Sequence, residues 1–446
     1  MEGKMKAEAF LFGKMTDCLG WFEFFNLEGI SFQYKGEVLG DFGRVNVLAG
    51  YSHADISKAK TSVFLIEPEK GSNRCIAPST KKLSIKDNVV EFYSNISSNL
   101  VQEYSFNGFQ EFSAKKEFSV KYMRKGLLKA FDMATMPYVH LWYYPFQSPS
   151  VLLFRQDIDY VEKQGIRKLI QLTDKFSITG TYFINISGEE EYDEIIGHLK
   201  LDEPTTPARK SVVKEILRSG NELANHGYWH YIFDGVDENL NNIDECSRYM
   251  KELFDVDVIG FAAPGAEWNS SSLKALDVRG FAYTCNGCSD VVGFPFRPYV
   301  DGKRLGMLEM IFYRICDASF EPIVENADGL TSQEIEMLSE ILETHADEQI
   351  KENKPIAILG HPHLSGKIAD SVYLPIFRRI RKLGIPSLSI SEFSKWWVKR
   401  EGIKLSCFVD KEGLVIKTTE PAFVRIIFNG KKKIMKIDGQ TSIKVP

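Results

Sequence analysis

The stretch that decides the fold is VLLFRQDIDY at residues 151–160. Four apolar residues followed at once by a charged run are typical of a buried strand that ends at a functional loop. Because side chains alternate along a strand, Arg155, Asp157 and Asp159 are expected on one face. Two carboxylates on one face repel each other, so such a pair persists where a metal ion or an arginine neutralises it, or where one carboxylate works as a base. The alternative is a loop cap or a surface pair without a chemical role.

Around this stretch, between about 150 and 400, short apolar runs alternate with helix-length segments. The further strand-like runs are TGTYFIN (179–185), NELAN (221–225), VDVIGFA (256–262), FAYTC (281–285) and PIAILG (355–360). Helices are expected near 161–176, 190–200, 208–219, 237–254, 270–278, 332–352, 371–383 and 391–399. Repeated βα units imply a parallel sheet covered by helices, and the length and strand number favour a (β/α) barrel over an open sheet.

The two flanking regions have a different character. Residues 1–148 contain short aromatic and β-branched runs separated by turns, such as GWFEFF at 20–25, which predicts a mostly-β domain. Residues 401–446 contain short alternating strands, and the dipeptides at 429–430 and 438–439 are hairpin signals (Asn-Gly and Asp-Gly). The sequence therefore predicts three domains, 1–148, 149–400 and 401–446, the last a small antiparallel β module.

Composition and charge exclude several classes of protein. The 446 residues carry 55 Lys plus Arg and 60 Asp plus Glu, a net charge of -5, which is not the basic footprint of a nucleic-acid binder. No stretch approaches the ~20 consecutive apolar residues of a membrane span. The first residues lack the pattern of a signal peptide, and the seven cysteines are an odd, scattered set. We therefore expect a cytoplasmic protein without structural disulfides. The sequence does not determine the oligomeric state, and a homo-oligomer is one option.

Histidines form two further polar clusters, each directly after an apolar run. His226 and His230 follow NELAN, and His361 and His363 follow IAILG, so four of the eight histidines lie in two short segments. Two histidines four residues apart meet on one face of a helical turn and can bind one metal ion. The alternatives are core or surface histidines in the first cluster and an incidental turn in the second.

Taken together, the three clusters indicate one site. Each begins where a βα loop would begin, and the active sites of βα barrels lie at that end of the strands. An Asp and two His are suitable protein ligands for a hydrolytic Zn²⁺ or a similar ion, with a position left open for water. A spare Asp and a spare His then remain for the roles of base and acid.

The order of these motifs resembles the polysaccharide deacetylases, the carbohydrate esterases with a chitooligosaccharide-deacetylase homology domain. The motifs are Asp-x-Asp at 157–159, His-x-x-x-His at 226–230, Pro-Gly at 264–265 and Leu-Gly-His at 359–361. The resemblance covers roughly 150–400 and neither flanking region. It implies a distorted (β/α)7 barrel and an enzyme that removes N- or O-acetyl groups from sugars with a divalent metal ion.

The resemblance also implies a role for each matching residue. Asp157 would be the general base, and Asp159, His226 and His230 would bind the metal. His361 would be the general acid that protonates the leaving amine or alcohol. His363 is the weaker candidate for the acid, since it lies two residues beyond the match.

The sequence departs from the family at one position with chemical consequences. The family carries an Arg two residues before the Pro of its third motif, where it orients the catalytic Asp, and this chain has Ala262 there. A base beside a metal still needs a counter-charge, so we hypothesise that Arg155 replaces the missing Arg by pairing with Asp157, which would make Arg155 a catalytic-site residue. The alternative is that Arg155 pairs with Glu267 or with a surface acid and only positions the strand.

A few remaining residues are candidates for lesser roles. Tyr228, Pro264 and Trp268 are candidate substrate contacts, and the two aromatic rings would either stack on a sugar or belong to the core. Asp290 is the candidate for the family's fourth motif. The pair Cys285-x-x-Cys288 would be redox-active, half of a zinc site or inert, and the lack of a second pair at zinc spacing favours an inert role.

The sequence thus predicts a metal-dependent hydrolase, with Zn²⁺ as the expected ion, that removes an acetyl group, N-acetyl by preference, from a sugar or polysaccharide-related substrate. Its partner would be a carbohydrate or an N-acetylated small molecule, with no nucleic acid. One alternative is a carbohydrate-binding protein with an impaired catalytic site, which Ala262 motivates. The other is a metal-dependent hydrolase of a linear non-sugar amide, which the expected cytoplasmic location motivates.

Overall fold

The computed structural model describes residues 5–39, 42–51, 62–68, 83–187, 204–320, 331–410 and 413–443, so the helix predicted near 190–200 lies outside the described residues. The chain divides into two compact units. The first contains Met1–Gln102, Ala114–Gln147 and Trp396–Pro446, and the second contains Glu103–Ser113 and Ser148–Lys395. The C-terminal segment is thus grouped with the N-terminal one.

The elements are numbered in chain order. The strands are β1 (Met5–Lys6), β2 (Ala9–Phe12), β3 (Phe32–Gly36), β4 (Val45–Ala49), β5 (Val63–Glu67), β6 (Leu83–Lys86), β7 (Val89–Phe92), β8 (Tyr138–Leu141), β9 (Leu152–Ile158), β10 (Gly180–Ile184), β11 (Glu222–Asn225), β12 (Gly260–Phe261), β13 (Tyr283–Thr284), β14 (Cys288–Ser289), β15 (Tyr299–Val300), β16 (Lys303–Arg304), β17 (Leu308–Glu309), β18 (Phe312–Tyr313), β19 (Ile356–Gly360), β20 (Leu405–Asp410), β21 (Gly413–Thr418), β22 (Ala422–Phe428), β23 (Lys431–Ile437) and β24 (Gln440–Ile443). The helices are α1 (Met15–Glu28), α2 (Phe109–Met133), α3 (Lys163–Phe176), α4 (Pro207–Arg218), α5 (Val236–Phe254), α6 (Ser270–Val278), α7 (Ser332–Glu352), α8 (Pro362–Ile368), α9 (Leu374–Lys382) and α10 (Ile390–Gly402).

The main sheet of the first unit has the strand order β3-β2-β4-β5-β7-β6. Every neighbouring pair is parallel except the edge pair β6 and β7. Strands β4 and β5 are buried along their whole length, and all their residues except Asn46 and Glu67 are apolar. The region is therefore α/β in character.

Two long helices in this region correct the expectation of a mostly-β domain. The run GWFEFF lies inside α1, where Trp21, Phe24 and Phe25 are buried on one face at the three- and four-residue spacing of a helix. A short aromatic run does not distinguish a strand from a buried helix. Helix α2, 25 residues long, was missed, although its buried residues Val120, Met123, Leu127 and Phe131 recur at the three- and four-residue spacing of a helix.

The C-terminal strands occur where the sequence predicted them, but they pair with N-terminal strands. One sheet has the order β1-β20-β21-β24 and another the order β23-β22-β8. Strand β1 pairs antiparallel with β20, and β8 pairs antiparallel with β22. The two ends of the chain therefore complete each other's sheets within the first unit.

The second unit is built on a curled sheet of seven parallel strands in the order β17-β13-β12-β11-β10-β9-β19. The α/β class and the seven parallel strands agree with the predicted (β/α)7 architecture. Strands β17 and β19 are the two ends, and within the described residues no ladder joins them, so the sheet is an open half-barrel and not a closed barrel. Strand β9 lies between β10 and β19, and all seven of its residues are buried.

Helices cover the outer face of this sheet. Leu152 and Phe154 of β9 pack with Ile358 of β19 and with Ile376 and Phe377 of α9 in one apolar core. Burying each such side chain is worth ~1.5–3 kcal/mol, and the core fixes the strand that carries the candidate site. In the part of the chain that the structure describes, no helix has both the length and the hydropathy of a membrane span.

Candidate metal centre and active site

The candidate site lies at the carboxyl ends of β9, β11 and β19. Arg155 and Asp157 belong to β9 and Asp159 directly follows it, while His226 directly follows β11 and His361 directly follows β19. Because all three strands are parallel members of one sheet, these ends meet at the same edge. The sequence clusters are therefore brought together by the order of the strands.

Three of these residues form one compact group. Asp159, His226 and His230 are buried, and one ligand atom from each lies within 4.8 Å of the other two. Oδ1 of Asp159 is 3.4 Å from Nε2 of His226 and 3.3 Å from Nε2 of His230. Nδ1 of His226 lies 2.8 Å from the carbonyl oxygen of Ala262, which can only accept, so Nδ1 carries the proton and Nε2 presents its lone pair to the group.

The group contains polar atoms that protein partners leave unsatisfied. Among the described residues, Oδ1 of Asp159 and both ring nitrogens of His230 have no hydrogen-bond partner although they are buried. An unsatisfied buried polar atom costs ~1–3 kcal/mol. Burial alone would raise the pKa of Asp159, but the adjacent imidazoles of His230, His226 and His361 hold that pKa well below its usual range. A buried carboxylate facing two imidazole nitrogens fits a divalent cation.

The segment that carries the two histidines is a loop and not the helical turn that the spacing suggested. Gly227 has φ +85°, and a Cβ there would lie 2.5 Å from the carbonyl oxygen of Trp229. Asn242 of α5 holds the loop: its Oδ1 accepts from the N–H groups of Tyr228 and Trp229 at 2.7 and 2.9 Å. The sequence contained no motif for Asn242, because it acts from a helix 14 residues downstream.

The predicted contact between Arg155 and Asp157 is present, and it is two-pronged. Nε donates to Oδ1 at 2.8 Å and Nη2 donates to Oδ2 at 2.6 Å, while Nη1 donates to the carbonyl oxygen of Cys285. Arg155 is fully buried between the rings of Phe183 and Phe312, whose centroids lie 5.2 and 5.5 Å from the guanidinium carbon. Burial alone would lower the pKa of Arg155, but the charge of Asp157 and the hydrogen bonds to it outweigh burial and raise that pKa.

Asp317 holds His361 in place. Oδ1 of Asp317 is 2.8 Å from Nδ1 of His361, and its Oδ2 accepts the backbone N–H of His361 at 2.8 Å and the hydroxyl of Ser365. Nε2 of His361 lies 3.8 Å from Oδ2 of Asp159, so the ring faces the group formed by Asp159, His226 and His230. Burial would lower the pKa of His361, but Asp317 and, more weakly, Asp159 raise it to about 10.

Sequence reasoning missed Asp317, which begins a short 3-10 helix (Asp317–Phe320) after β18 and has no motif of its own. The candidate that it named instead, Asp290, is half-exposed and pairs with Arg314. Cys316, next to Asp317, also lies within ligand distance of His361. Burial raises the pKa of the Cys316 thiol, which disfavours the thiolate that a metal would need.

The candidate substrate contacts lie in packed environments. Trp268 is buried and meets the ring of Tyr104 edge to face at 4.8 Å, and Pro264 is buried. Tyr228 is half-buried and its ring packs 5.4 Å from that of Tyr249. Trp268 and Pro264 therefore belong to the core of the second unit and offer no open face to a sugar ring.

The two cysteines of the Cys-x-x-Cys motif are free thiols within the described residues. Burial raises the pKa of Cys288 to about 11, and it raises the pKa of Cys285 as well. Both are therefore protonated and unreactive near neutral pH. The backbone of Cys285 nevertheless contributes to the site, since its carbonyl oxygen accepts from Arg155.

Comparison with known proteins adds independent information. Residues 147–284 match the family model described as polysaccharide deacetylase. The chain is similar in structure to a protein from Mycobacterium smegmatis assigned to the polysaccharide deacetylases, with 18% identity over 58% of this chain and 93% of that one and a TM-score of 0.48. It is also similar to Agd3, a carbohydrate deacetylase, with 9% identity over 99% of this chain and 100% of that one and a TM-score of 0.46.

A third similar structure is BA3943 from Bacillus anthracis, described as a pseudoenzyme of carbohydrate esterase family 4, with 14% identity over 56% of this chain and 66% of that one and a TM-score of 0.36. No curated protein matches the sequence. The match of the family model includes the Asp-x-Asp, His-x-x-x-His and Pro-Gly motifs and confirms the resemblance stated from the sequence. Residues 147–284 therefore match a polysaccharide deacetylase domain.

Proposed function

We propose that this protein is a metal-dependent deacetylase that hydrolyses an acetyl group, N-acetyl by preference, on a sugar or polysaccharide-related substrate. The observation that carries the proposal is the convergence of Asp159, His226 and His230 on one point, with buried polar atoms that the protein leaves unsatisfied. A carboxylate paired with an arginine and a histidine paired with a carboxylate flank that point, and these are the two groups that acyl transfer requires.

The three converging residues would hold the metal ion. Their donor set of one carboxylate oxygen and two imidazole nitrogens is that of a catalytic zinc site with an open position. When bound, such an ion lowers the pKa of a water ligand and polarises an acetyl carbonyl. The contact of His226 with the carbonyl of Ala262 keeps the metal-facing nitrogen unprotonated, which is what a ligand needs.

Asp157 would take the proton from the attacking water. Its Oδ2 lies 3.9 Å from Nε2 of His226, so it is adjacent to the metal group without belonging to it. Arg155 fixes the plane of the carboxylate, and each carboxylate oxygen keeps a lone pair for the water. Arg155 thus supplies the counter-charge and direction that the family obtains from the position of Ala262.

His361 would protonate the leaving nitrogen or oxygen. Asp317 accepts from Nδ1, so Nε2 faces the reaction and donates its proton there. The raised pKa keeps the imidazole protonated at neutral pH, as a general acid must be. The carboxylate of Asp317 stays ionised, because the charge of His361 and three hydrogen bonds outweigh its burial and lower its pKa.

Two other functions remain open to test. A carbohydrate-binding protein without activity is motivated by Ala262, and the pair of Arg155 with Asp157 argues against it. A hydrolase of a linear amide would use the same site on a different substrate. The expected cytoplasmic location and the oligomeric state also stay predictions.

The decisive assay measures acetate release from N-acetylated chitooligosaccharides and from an N-acetylated linear amine. The protein is assayed as purified, after chelation, and after Zn²⁺ is restored. We expect release from the sugar that is lost on chelation and recovered with the metal. Release from the linear amide alone would support the second alternative, and no release from either, with metal bound, would support a binding function.

A further inference from the structure

Two buried hydroxyl groups extend the contact between His361 and Asp317 into the interior of the second unit. The hydroxyl oxygen of Ser365, in helix α8, lies 2.5 Å from Oδ2 of Asp317, and the hydroxyl oxygen of Tyr373 lies 2.9 Å from that of Ser365. Asp317, Ser365 and Tyr373 are all fully buried. The proposed acid therefore lies at one end of a chain of four hydrogen-bonded side chains.

The carboxylate of Asp317 determines the direction of the hydrogen bonds in this chain. Burial alone would raise the pKa of Asp317, but His361 and the hydrogen bonds to the carboxylate lower it, so the group is ionised near neutral pH and can only accept. The single hydroxyl proton of Ser365 is donated to that carboxylate, and the hydroxyl of Tyr373 must therefore donate to Ser365. Burial raises the pKa of Tyr373 well above its ordinary value, which keeps this proton in place.

A departure from α-helical backbone brings the two hydroxyl groups together. Ser365 and Tyr373 are eight residues apart, which in a continuous α-helix corresponds to ~12 Å along the axis. Ile368, at the end of α8, has φ −103° and ψ 7°, and Ala369–Tyr373 forms a π-helical turn before α9 begins. Such turns are rare and frequently occur at functional sites. Here the turn places the Tyr373 hydroxyl against Ser365.

The core beneath strand β9 fixes the far end of the chain. The ring centroid of Tyr373 lies 5.3 Å from that of Phe154, a residue of β9, and the two rings meet edge to face. Gly360, the last residue of β19, leaves the space for the two hydroxyl groups, since a Cβ there would overlap the hydroxyl oxygens of Ser365 and Tyr373. The residue directly before His361 therefore has to be glycine for the chain to form.

From this arrangement we propose that Ser365 and Tyr373 are positioning residues for the acid step, which hold the carboxylate of Asp317 and, through it, the ring of His361. The inference rests on the proposed role of His361 as the general acid. In that step the proton on Nε2 of His361 moves to the leaving nitrogen as the C–N bond breaks. Asp317 stays ionised and both hydroxyl groups keep their protons, so the chain supplies orientation and no proton.

The proton on Nδ1 of His361 reports on the chain without any assay of activity. Its resonance in nitrogen-15-edited proton NMR of the full-length protein is identified by its absence in His361→Gln. Ser365→Ala and Tyr373→Phe each remove one donor of the chain, so we expect both to shift this resonance. Tyr182→Phe is the matched control, because Tyr182 is also fully buried in the second unit and, within the described residues, its hydroxyl has no hydrogen-bond partner. An unchanged resonance in both test variants, or an equal shift in the control, would overturn the proposal.

Kinetics with two leaving groups test what the chain does in the reaction. An amine needs a proton in order to leave, whereas 4-nitrophenolate leaves without one. Ser365→Ala should therefore lower kcat for an N-acetylated chitooligosaccharide about tenfold, less than the ~10²-fold expected for loss of an acid, with KM and the turnover of 4-nitrophenyl acetate unchanged. Ser394→Ala is the matched control, since among the described residues that buried hydroxyl has no partner, and it should leave both reactions as in wild type.

The outcomes separate this inference from the proposed function. Equal loss of turnover on both substrates in Ser365→Ala, or no loss on the chitooligosaccharide, would contradict the positioning role and leave the deacetylase activity standing. A wild-type protein that releases acetate from neither substrate would refute the proposed function, and the NMR comparison would then decide whether the chain holds His361.

Discussion

Arg155 and Asp157, two residues apart on strand β9, form a two-pronged ion pair with N–O distances of 2.8 and 2.6 Å. The pair exists because alternate residues of a strand share a face, and because the rings of Phe183 and Phe312 enclose the guanidinium. A carboxylate held in this way has one orientation and a permanent counter-charge. Both are properties that a general base beside a metal ion needs.

Replacing Arg155 should therefore affect catalysis more than substrate binding. We expect Arg155→Lys to lower kcat by at least about 10²-fold with little change in KM, because an ammonium cannot hold both oxygens. Steady-state kinetics of deacetylation measure both constants. Arg167→Lys is the control, since Arg167 makes a similar two-pronged pair with Glu215 at an exposed position. Wild-type turnover in Arg155→Lys would show that the two-pronged contact of the Arg155 guanidinium with Asp157 has no role in catalysis.

Substituting Asp157 and Asp159 one at a time should separate the role of general base from the role of metal ligand. Asp157→Asn is expected to keep the metal and to lower turnover by at least about 10²-fold, since an amide cannot accept the proton of water. Asp159→Asn is expected to lose most of the metal. Metal content and acetate release are measured on the same preparations. Metal loss in the first variant with retention in the second would mean that the roles are reversed.

The pairing of His361 with Asp317 predicts the pH dependence. Burial would lower the pKa of His361, but Asp317 and, more weakly, Asp159 and Asp157 raise it from 6.5 to about 10, so the acid form persists above neutral pH. Without the carboxylate of Asp317 the pKa falls, and the alkaline limb of the kcat profile should move to lower pH in Asp317→Asn. The same pairing also stabilises the folded protein. Because the pKa of His361 is higher in the folded than in the unfolded state, this stabilisation is complete below pH 6.5 and is lost as the pH rises towards 10. An unchanged alkaline limb in Asp317→Asn would contradict this role.

Trp268 should behave as a core residue. Because it is buried among aromatic rings, Trp268→Ala is expected to lower the free energy of unfolding by about 3–5 kcal/mol. Urea denaturation measures this value, and Trp268→Phe should recover much of it. If Trp268→Ala instead left stability unchanged and raised KM for a sugar, the side chain would be a substrate platform.

The sequence predicted best those site residues that directly follow an apolar, strand-like run. Asp157, Asp159, His226 and His361 each follow an apolar run, so parallel strands alone were enough to bring them together. Asp317 could not be found in this way, because its partner is 44 residues away and no strand or motif marks it. Asn242 was missed for a related reason, since it supports the histidine loop from the middle of a helix.

The flanking regions show a different limit. GWFEFF has the composition of a strand, but it is part of helix α1, which buries Trp21, Phe24 and Phe25 on one of its faces. The C-terminal strands were recognised one by one, yet their partners β1 and β8 lie hundreds of residues earlier in the chain. Alternation along a strand determines its faces but contains no information about which strand it pairs with.

The central claim is that Asp159, His226 and His230 bind one divalent ion. The most direct measurement is the metal content of protein purified without chelator, determined by inductively coupled plasma mass spectrometry for wild type and for the His226→Ala, His230→Ala double variant. His140→Ala is the control, because that buried histidine lies in the first unit. The account predicts about one ion per wild-type and control chain and close to none in the double variant. The same stoichiometry in the double variant as in wild type would contradict it.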